Sequence, residues 1–186
     1  MEPAHSRTKL TYEDYVRFPD DRLRHEIIDG EHFVTPVPVT RHQRISRRLL
    51  YSLEDYLQKH PIGEVFHAPF DVLLSEFDIV EPDLIYLSKA RAYFLTEKNL
   101  QGPPDLVVEI LSPGTRRRDE RLKRDLYERV GVREYWLVDP GRNVVTVQRR
   151  GKSGFKTPRE HSASAGDTLR TSLLPKLRIS LRTLFA

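Results

Sequence analysis

Apolar residues recur in short clusters along the whole chain, and their spacing predicts a mixture of helices and strands. The first long helix is predicted over residues 40–59, where an apolar stripe repeats every fourth position: Ile45, Leu49, Leu53 and Leu57. Before it, RHEIIDGEHFV (24–34) predicts two short strands, because Asp29-Gly30 is a strong hairpin signal between apolar runs.

The second half of the pattern alternates buried strands with one charged helix. This helix is predicted over about 119–130, ending at Gly131. Residues 89–100 are expected to be a helical or irregular crossover, and residues 151–168 to be rich in loops, with room for one more hairpin. Strands are expected at 64–67, 69–74, 83–87, 105–111, 134–139 and 144–149. The order predicts an α/β (α+β) fold, with a mixed sheet flanked by helices in a single domain over residues 1–186.

Acidic residues interrupt several of the apolar strands. Asp83 opens DLIYL directly after Pro82, Glu109 lies inside VVEIL, and Glu26 lies inside HEII. A buried carboxylate is costly unless it has a partner or a metal, so each is either a satisfied ion pair, a solvent-facing edge residue or part of a site. Asp105 shares a strand face with Glu109 but lies roughly 13 Å away at about 3.3 Å per residue, so we choose Glu109 as the ligand of a common cation.

Lys123 is unexpected for a different reason. At about 100° per residue, Asp119 and Lys123 fall inside the arc of the helix held by its apolar residues, namely Leu122, Leu126, Tyr127 and Val130. A lysine on an apolar face can snorkel to water. Because Glu109 lies on the strand just before, a functional role is favoured.

Composition and charge exclude several classes of chemistry and indicate the kinds of partner that this chain can bind. The chain has no Cys, which excludes thiol catalysis, zinc ribbons and iron–sulfur clusters. It has no apolar run of about 20 residues and no apolar stretch in MEPAHSRTKL, so a cytoplasmic location is expected. Residues 140–186 carry 10 basic and two acidic side chains, which indicates either a polyanion partner or a solvated surface. Arg41, Arg44 and Arg48 form one line on the first long helix, with His42 beside them.

Three segments, EPDLIYL, PPDLVVEILSPGTRRRDERLK and DLYERVGVREYWLVDP, resemble the Uma-two family of restriction-endonuclease-like proteins in the PD-(D/E)XK nuclease superfamily. LRHEIIDGEHFV, RHQRISRRLL and LLPKLRISL extend the resemblance over nearly the whole chain. It implies a restriction-endonuclease-like fold, a Mg2+ cofactor for which Mn2+ can substitute, a DNA substrate, and a homodimer or larger homo-oligomer.

The resemblance also implies roles for individual residues. Pro82-Asp83 and Glu109 match the two acidic positions of the superfamily. The superfamily pattern has a lysine two residues after Glu109, but this chain has Leu111 there. Lys123 on the next helix matches the position to which the family displaces this lysine. Glu26 matches an early acidic position, a further metal ligand. Apart from the resemblance, Ser112 and Asp119 are expected to support the metal ligands. The line of basic residues on the first long helix predicts contacts with nucleic acid by Arg41, Arg44, Arg48 and His42.

These observations favour a Mg2+-dependent DNA endonuclease. A hard cation held by carboxylates can generate the nucleophile and neutralise the charge that grows on phosphate. Two alternatives stay open: a DNA-binding module with weak or no catalysis, indicated by the missing lysine at position 111, and a metal-dependent hydrolase of another phosphoester. No phosphate-binding glycine loop and no Gly-x-Ser-x-Gly elbow is present, which argues against a nucleotide triphosphatase and a serine hydrolase.

Overall fold

Helices make up a small part of the computed structural model, which describes residues 9–186. Within these residues there are four α-helices: α1 (Tyr12–Tyr15), α2 (Thr40–Lys59), α3 (Arg124–Val130) and α4 (Leu181–Phe185). A 3-10 helix covers Lys89–Phe94, and a π-helical turn, Arg118–Lys123, runs directly into α3. Within the described residues, no helix is long and apolar enough to cross a membrane.

Two sheets carry most of the structure. The small sheet has the order β2-β1-β5-β4-β7, formed by β1 (Arg24–Ile28), β2 (Glu31–Thr35), β4 (Val72–Ser75), β5 (Asp78–Val80) and β7 (Leu100–Gln101). The central sheet has the order β11-β10-β9-β8-β6-β3, with β12 also paired to β10. Its strands are β3 (Gly63–His67), β6 (Leu84–Ser88), β8 (Leu106–Ile110), β9 (Glu134–Asp139), β10 (Val144–Gly151), β11 (Gly154–Phe155) and β12 (Arg159–Ser162). A separate pair joins β13 (Thr168–Leu169) to β14 (Ile179–Ser180).

The central sheet is mixed, as the order of elements predicted. Strands β8 and β9 run parallel, whereas β6 pairs with β8 and β9 with β10 antiparallel. Parallel neighbours need a crossover, and the π-helical turn followed by α3 supplies it. The crossover therefore connects the two strands at the middle of the sheet.

Helix α2 covers one face of the central sheet through the predicted stripe. Ile45, Leu49, Leu53 and Leu57 are all buried, and they pack in one core with Leu106 and other inward residues of the sheet and with the C-terminal segment. A second core on the other face joins α3 to the small sheet. The sheet is thus covered on both faces, which explains why every residue of β8 and β9 is buried.

The hairpin at Asp29-Gly30 forms as predicted. Asp29 and Gly30 both have positive φ, 52° and 78°, the conformation that a two-residue hairpin turn requires. A Cβ on Gly30 would lie 2.4 Å from the Cβ of Lys9, so the close approach of the chain also requires glycine there.

The strand bounds in the structure differ most from the predicted bounds between residues 69 and 80. The strand predicted over 69–74 begins only at Val72, after a cis Ala68-Pro69 peptide, and it pairs with β5, which the sequence pattern did not indicate. A three-residue strand is too short to produce a recognisable alternation. The hairpin that β4 and β5 form links the small sheet to the start of β6.

Candidate active site

Three of the predicted acidic residues converge where the small sheet meets the central sheet. Asp83 directly precedes β6, Glu109 lies on β8, and Glu26 lies on β1; all three are buried. The register that pairs Leu84 with Val108 continues one step to place Asp83 opposite Glu109, and directly opposed residues share a face of the sheet. The two sheets thus bring together carboxylates from distant parts of the chain.

Lys123 lies among these carboxylates. Its Nζ is 2.6 Å from Glu26 Oε1 and 2.8 Å from Glu109 Oε1, and it is 3.8 Å from Asp119 Oδ1. The side chain is 2% exposed, so it does not snorkel to water. One ammonium therefore holds together acids from β1, from β8 and from its own helical segment.

The π-helical turn decides which side chains of this segment point inward. Bonds of the i→i+5 type advance each residue by less than the α-helical 100°, so an α-helical wheel misplaces residues here. Leu122, predicted on the apolar face, is 46% exposed, while Asp119 and Lys123 are both buried. Arg124, which α-helical geometry turns to water, instead donates to Gln148 and Glu128. Placing Leu122 on the buried face was wrong for this reason.

Asp83 is held through both of its oxygens. Its Oδ1 accepts from Nη1 of Arg24 at 2.8 Å, and its Oδ2 accepts from Nε2 of His42 at 3.0 Å and from the backbone N–H of Ile110 at 2.8 Å. Burial raises the pKa of Asp83. The hydrogen bond and charge of His42 and the charge of Arg24 outweigh this effect, so the pKa of Asp83 lies below the ordinary value. The carboxylate is therefore ionised and fixed in orientation.

The pKa values of Glu109 and Lys123 are both raised, although a simple ion pair would lower that of the acid. Burial, together with the neighbouring Asp119, Asp83 and Glu26, raises the pKa of Glu109 more than Lys123 lowers it. Burial lowers the pKa of Lys123, but the carboxylates around it raise it above the ordinary value. The pKa values of Glu109 and Lys123 can both be raised because one ammonium is shared by three acids and cannot neutralise them all.

The charge balance of this cluster leaves room for a cation. Four carboxylates (Glu26, Asp83, Glu109 and Asp119) face three permanent cations (Arg24, Arg118 and Lys123). The buried oxygens Glu26 Oε2 and Asp119 Oδ1 have no hydrogen-bond partner in the described part of the chain. Over residues 9–186 no three acidic or histidine side chains are arranged to hold an ion by themselves. Mg2+ needs only one or two protein carboxylates and keeps waters otherwise, so this donor set fits it.

The cluster opens into a cleft of about 450 Å³, which we call the site cleft. Residues 36–39, between β2 and α2, form part of its wall, and Val37 and Val39 are exposed there. Ser112 also lines the cleft, but its hydroxyl is hydrogen-bonded to Thr115 Oγ1 at 3.1 Å. A substrate can therefore reach the buried charges from one side.

The basic residues predicted on α2 point in different directions. Arg41 lines the site cleft and donates to Asn143, and Arg44 is exposed to solvent. Arg48 donates to the backbone carbonyls of Leu184 and Ala186 at the end of α4, away from the site cleft. His42 is buried against Asp83, whereas the sequence placed it beside the arginines as a contact for nucleic acid.

Three residues of the site were not singled out for it from the sequence. Arg24 contacts Asp83, Arg118 lies 3.3 Å from Glu26, and Tyr127 donates its hydroxyl to Glu109 Oε1 at 2.8 Å. Strand and helix periodicity contain a signal for two of them. Arg24 shares a face with Glu26 two positions later, and Tyr127 follows Lys123 by four positions on a helix. Arg118 lies within a run of three arginines, and nothing in that run distinguishes it.

The chain is similar to known proteins over most of its length. The sequence profile of the Uma2 family, described as "Putative restriction endonuclease", matches residues 12–182. A crystal structure of a protein from Anabaena variabilis, described as "a putative nuclease belonging to DUF820", is similar with a TM-score of 0.80 and 19% identity. The match covers 95% of this chain and 97% of that chain. This likeness shows the fold, and the restriction-endonuclease-like class expected from the sequence is confirmed. No sequence among curated proteins matches.

Proposed function

This chain belongs to the Uma2 family, and on that premise we propose that it is a nuclease, namely a Mg2+-dependent endonuclease that hydrolyses phosphodiester bonds of DNA. The observation that carries the proposal is the buried cluster at the floor of the site cleft. There Lys123 contacts Glu109 at 2.8 Å, and Asp83 faces Glu109 across two paired strands. A purely structural ion pair would not need three acidic side chains around one ammonium.

Asp83 and Glu109 are the residues that would hold the cation, with Glu26 as a further carboxylate. Their oxygens are hard donors of the kind that Mg2+ prefers. When bound there, Mg2+ supplies Lewis-acid stabilisation of the phosphate and a more acidic attacking water.

The other residues of the cluster fix these carboxylates and supply positive charge. His42 and the Ile110 N–H orient Asp83, and Tyr127 orients Glu109. Lys123 lines the site cleft with a permanently charged ammonium, which can orient the attacking water and stabilise negative charge that grows on phosphate oxygens. Because Lys123 contacts Glu109 directly, its position on the helix compensates for Leu111 at the usual lysine position.

The test is cleavage of supercoiled, linear and single-stranded DNA by the full chain, in Mg2+ and in EDTA. We expect cleavage in Mg2+ alone, and we expect Glu109→Gln or Asp83→Asn to reduce it by roughly 10²-fold or more, since metal-ion catalysis contributes several kcal/mol. Asp125→Asn is the control, because Asp125 is exposed on the same helical run and pairs only with Arg124.

Calorimetry with Mn2+ separates the alternatives. Binding should be lost in Glu109→Gln and Asp83→Asn and retained in Asp125→Asn; unchanged binding in the first two moves the metal site elsewhere. A chain that binds DNA but never cuts it in Mg2+ or Mn2+ is a DNA-binding module. A chain that leaves DNA intact but hydrolyses a simple phosphodiester such as bis(p-nitrophenyl) phosphate acts on another substrate.

A further inference from the structure

Arg24 lines two neighbouring cavities. It lines the site cleft together with His42 and Asp83, and the same three residues also line a second cavity of about 430 Å³, which we call the side cavity. The Arg24 side chain is 19% exposed, and its only hydrogen bonds within residues 9–186 are from Nη1, to Asp83 Oδ1 and to the carbonyl of Glu81. The rest of the guanidinium is free to meet a ligand in either cavity.

The bond from Arg24 occupies one particular oxygen. Asp83 Oδ2 is already committed to His42 and to the backbone of Ile110, both of which belong to the rigid fold. Oδ1 is held by Arg24 alone among the described residues. Oδ1 has one lone pair left for a cation, but a cation bound there would lie beside the guanidinium, and two positive charges at one oxygen repel each other.

We propose that Arg24 is an exchangeable residue: a divalent cation displaces it from Asp83, and the released guanidinium then binds a phosphate of the DNA in the site cleft. This inference rests on the proposed function and adds that cation binding controls when Arg24 can bind the substrate. Arginine suits the second role because its planar fork binds phosphate oxygens in pairs. Arg24 is thus a substrate-binding residue that becomes available only with the metal, and metal and DNA strengthen each other's binding reciprocally.

The first test measures DNA binding of the full chain by fluorescence anisotropy over a salt series, once in Ca2+ and once in EDTA. Ca2+ is the probe because it is a hard cation with oxygen ligands. The slope of log K against log salt counts phosphate contacts at about 0.9 each. Arg24→Met should make the slope shallower by about 0.9 in Ca2+ and leave it unchanged in EDTA. Arg41→Met, which removes an arginine of the site cleft that does not contact Asp83, should change the slope equally in both conditions.

The second test measures Mn2+ binding by calorimetry without DNA. Arg24→Met should bind Mn2+ about 5-fold tighter or more, in the range of a typical coupling between sites. Arg118→Met removes the same charge beside Glu26 but leaves Asp83 Oδ1 occupied, so it should tighten binding less. Arg24→Lys keeps a charge on Asp83 and should behave more like wild type in both tests, which guards against a loss of folding in Arg24→Met.

Two results would overturn the exchange. An equal change of slope in Ca2+ and EDTA would make Arg24 a permanent phosphate contact, and no change in either would make it a structural partner of Asp83. A wild-type chain that binds no Mn2+ contradicts the proposed function itself, and the exchange with it. The two failures are therefore distinguishable.

Discussion

A single buried ammonium, that of Lys123, is the shared partner of three buried acidic side chains. Lys123 contacts Glu26 and Glu109 within 2.8 Å and lies near Asp119, and all four side chains are buried. Removing one member of a buried ion cluster leaves uncompensated charge, which is costlier than never having buried the cluster. Lys123 should therefore matter for stability as well as for chemistry.

We expect Lys123→Met to lower the free energy of unfolding by about 3–5 kcal/mol at neutral pH in EDTA, the cost of leaving a buried charge unpaired. Mg2+ should recover part of this loss, because a cation bound to the same carboxylates stabilises the folded state. Urea unfolding with and without Mg2+ measures both effects. Arg121→Met, at an exposed position of the same segment, should stay within about 0.5 kcal/mol of wild type.

Cleavage separates the chemical role of Lys123 from the structural one. In Mg2+, where the variant is folded, Lys123→Met should cut DNA roughly 10²–10⁴-fold more slowly, the span of one acid–base or charge-stabilising group. Lys123→Arg should recover little, since the larger planar fork cannot replace a compact ammonium that lies within 2.8 Å of both Glu26 and Glu109. Normal cleavage by Lys123→Met, with Glu109→Gln inactive, would contradict a role for this lysine.

Among single residues, the ones predictable from the sequence are those whose chemistry conflicts with their surroundings. Glu109 inside VVEIL and Lys123 among apolar helix residues could each be found this way. Arg24 gives only a weak signal: it shares a strand face with Glu26, but an arginine near the start of a strand that follows a polar loop is ordinary. Its importance follows from Asp83 being brought to it by a strand of the other sheet, which no local pattern contains.

Among the elements, the crossover between β8 and β9 has the most consequences for the site. Its π-helical turn directs Asp119 and Lys123 inward, and α3 then ends at Gly131, which has a φ of 94°. The carbonyl of Gly131 also accepts from Arg91, so the end of α3 is fixed against the 3-10 helix. This end anchors the helix that carries Lys123.

Gly131→Ala should destabilise the fold by about 1–2 kcal/mol, because a left-handed φ is strained for any residue with a Cβ. A Cβ at Gly131 would meet nothing within 4 Å, so a loss of stability would be due to the backbone and not to a clash. Gly114→Ala is the matched control: it too has open space within 4 Å, and its φ lies outside the left-handed range. Thermal or urea unfolding that gives equal values for the two variants would contradict this account.

Element types and their order were largely predictable, whereas the local winding of the crossover was not. The stripe of α2 and the Asp29-Gly30 turn arise from short-range periodicity and turn chemistry, and both match the structure. A π-helical turn has no comparable periodicity of its own.

At the scale of the whole molecule, charge is distributed unevenly. The last 47 residues carry the excess of arginine and lysine, but Arg142 and Arg149 are already paired with Glu160 and Glu134. Of the three arginines on α2, Arg41 lies at the site cleft and Arg44 is exposed, while Arg48 binds the end of α4. Of these three arginines, Arg41 is therefore the one that lines the site cleft.

We expect the slope of log K for DNA against log salt to become shallower by about 0.9 for Arg41→Ala and for Arg44→Ala, the contribution of one phosphate contact each. Arg48→Ala should leave the slope unchanged and lower the unfolding temperature, because it removes hydrogen bonds that fasten α4 to α2. Anisotropy over a salt series and thermal unfolding measure the two effects. A slope that Arg41→Ala and Arg44→Ala both leave unchanged would mean that this face of α2 is only solvated.

The meeting of the two sheets was the part of the architecture least accessible from the sequence. Binary patterns describe which face of an element is buried but not which partner covers it. The β1–β2 hairpin was predicted, yet its place beside β5, from which Glu26 reaches Lys123, depends on contacts between distant segments. Only the resemblance to a known family predicted that these segments belong to one site.

The sharing of Lys123 among carboxylates has a consequence for the synthesis of this protein. Glu26 emerges early from the ribosome and Lys123 much later, and Tyr135 on β9 then donates to the backbone of Asp119. Contacts between such distant positions form late in folding, because closing long loops is entropically slow. The site can therefore be complete only after the crossover and β9 have been synthesised. Fragments that end before the crossover carry Glu26, Asp83 and Glu109 without the ammonium that holds them together.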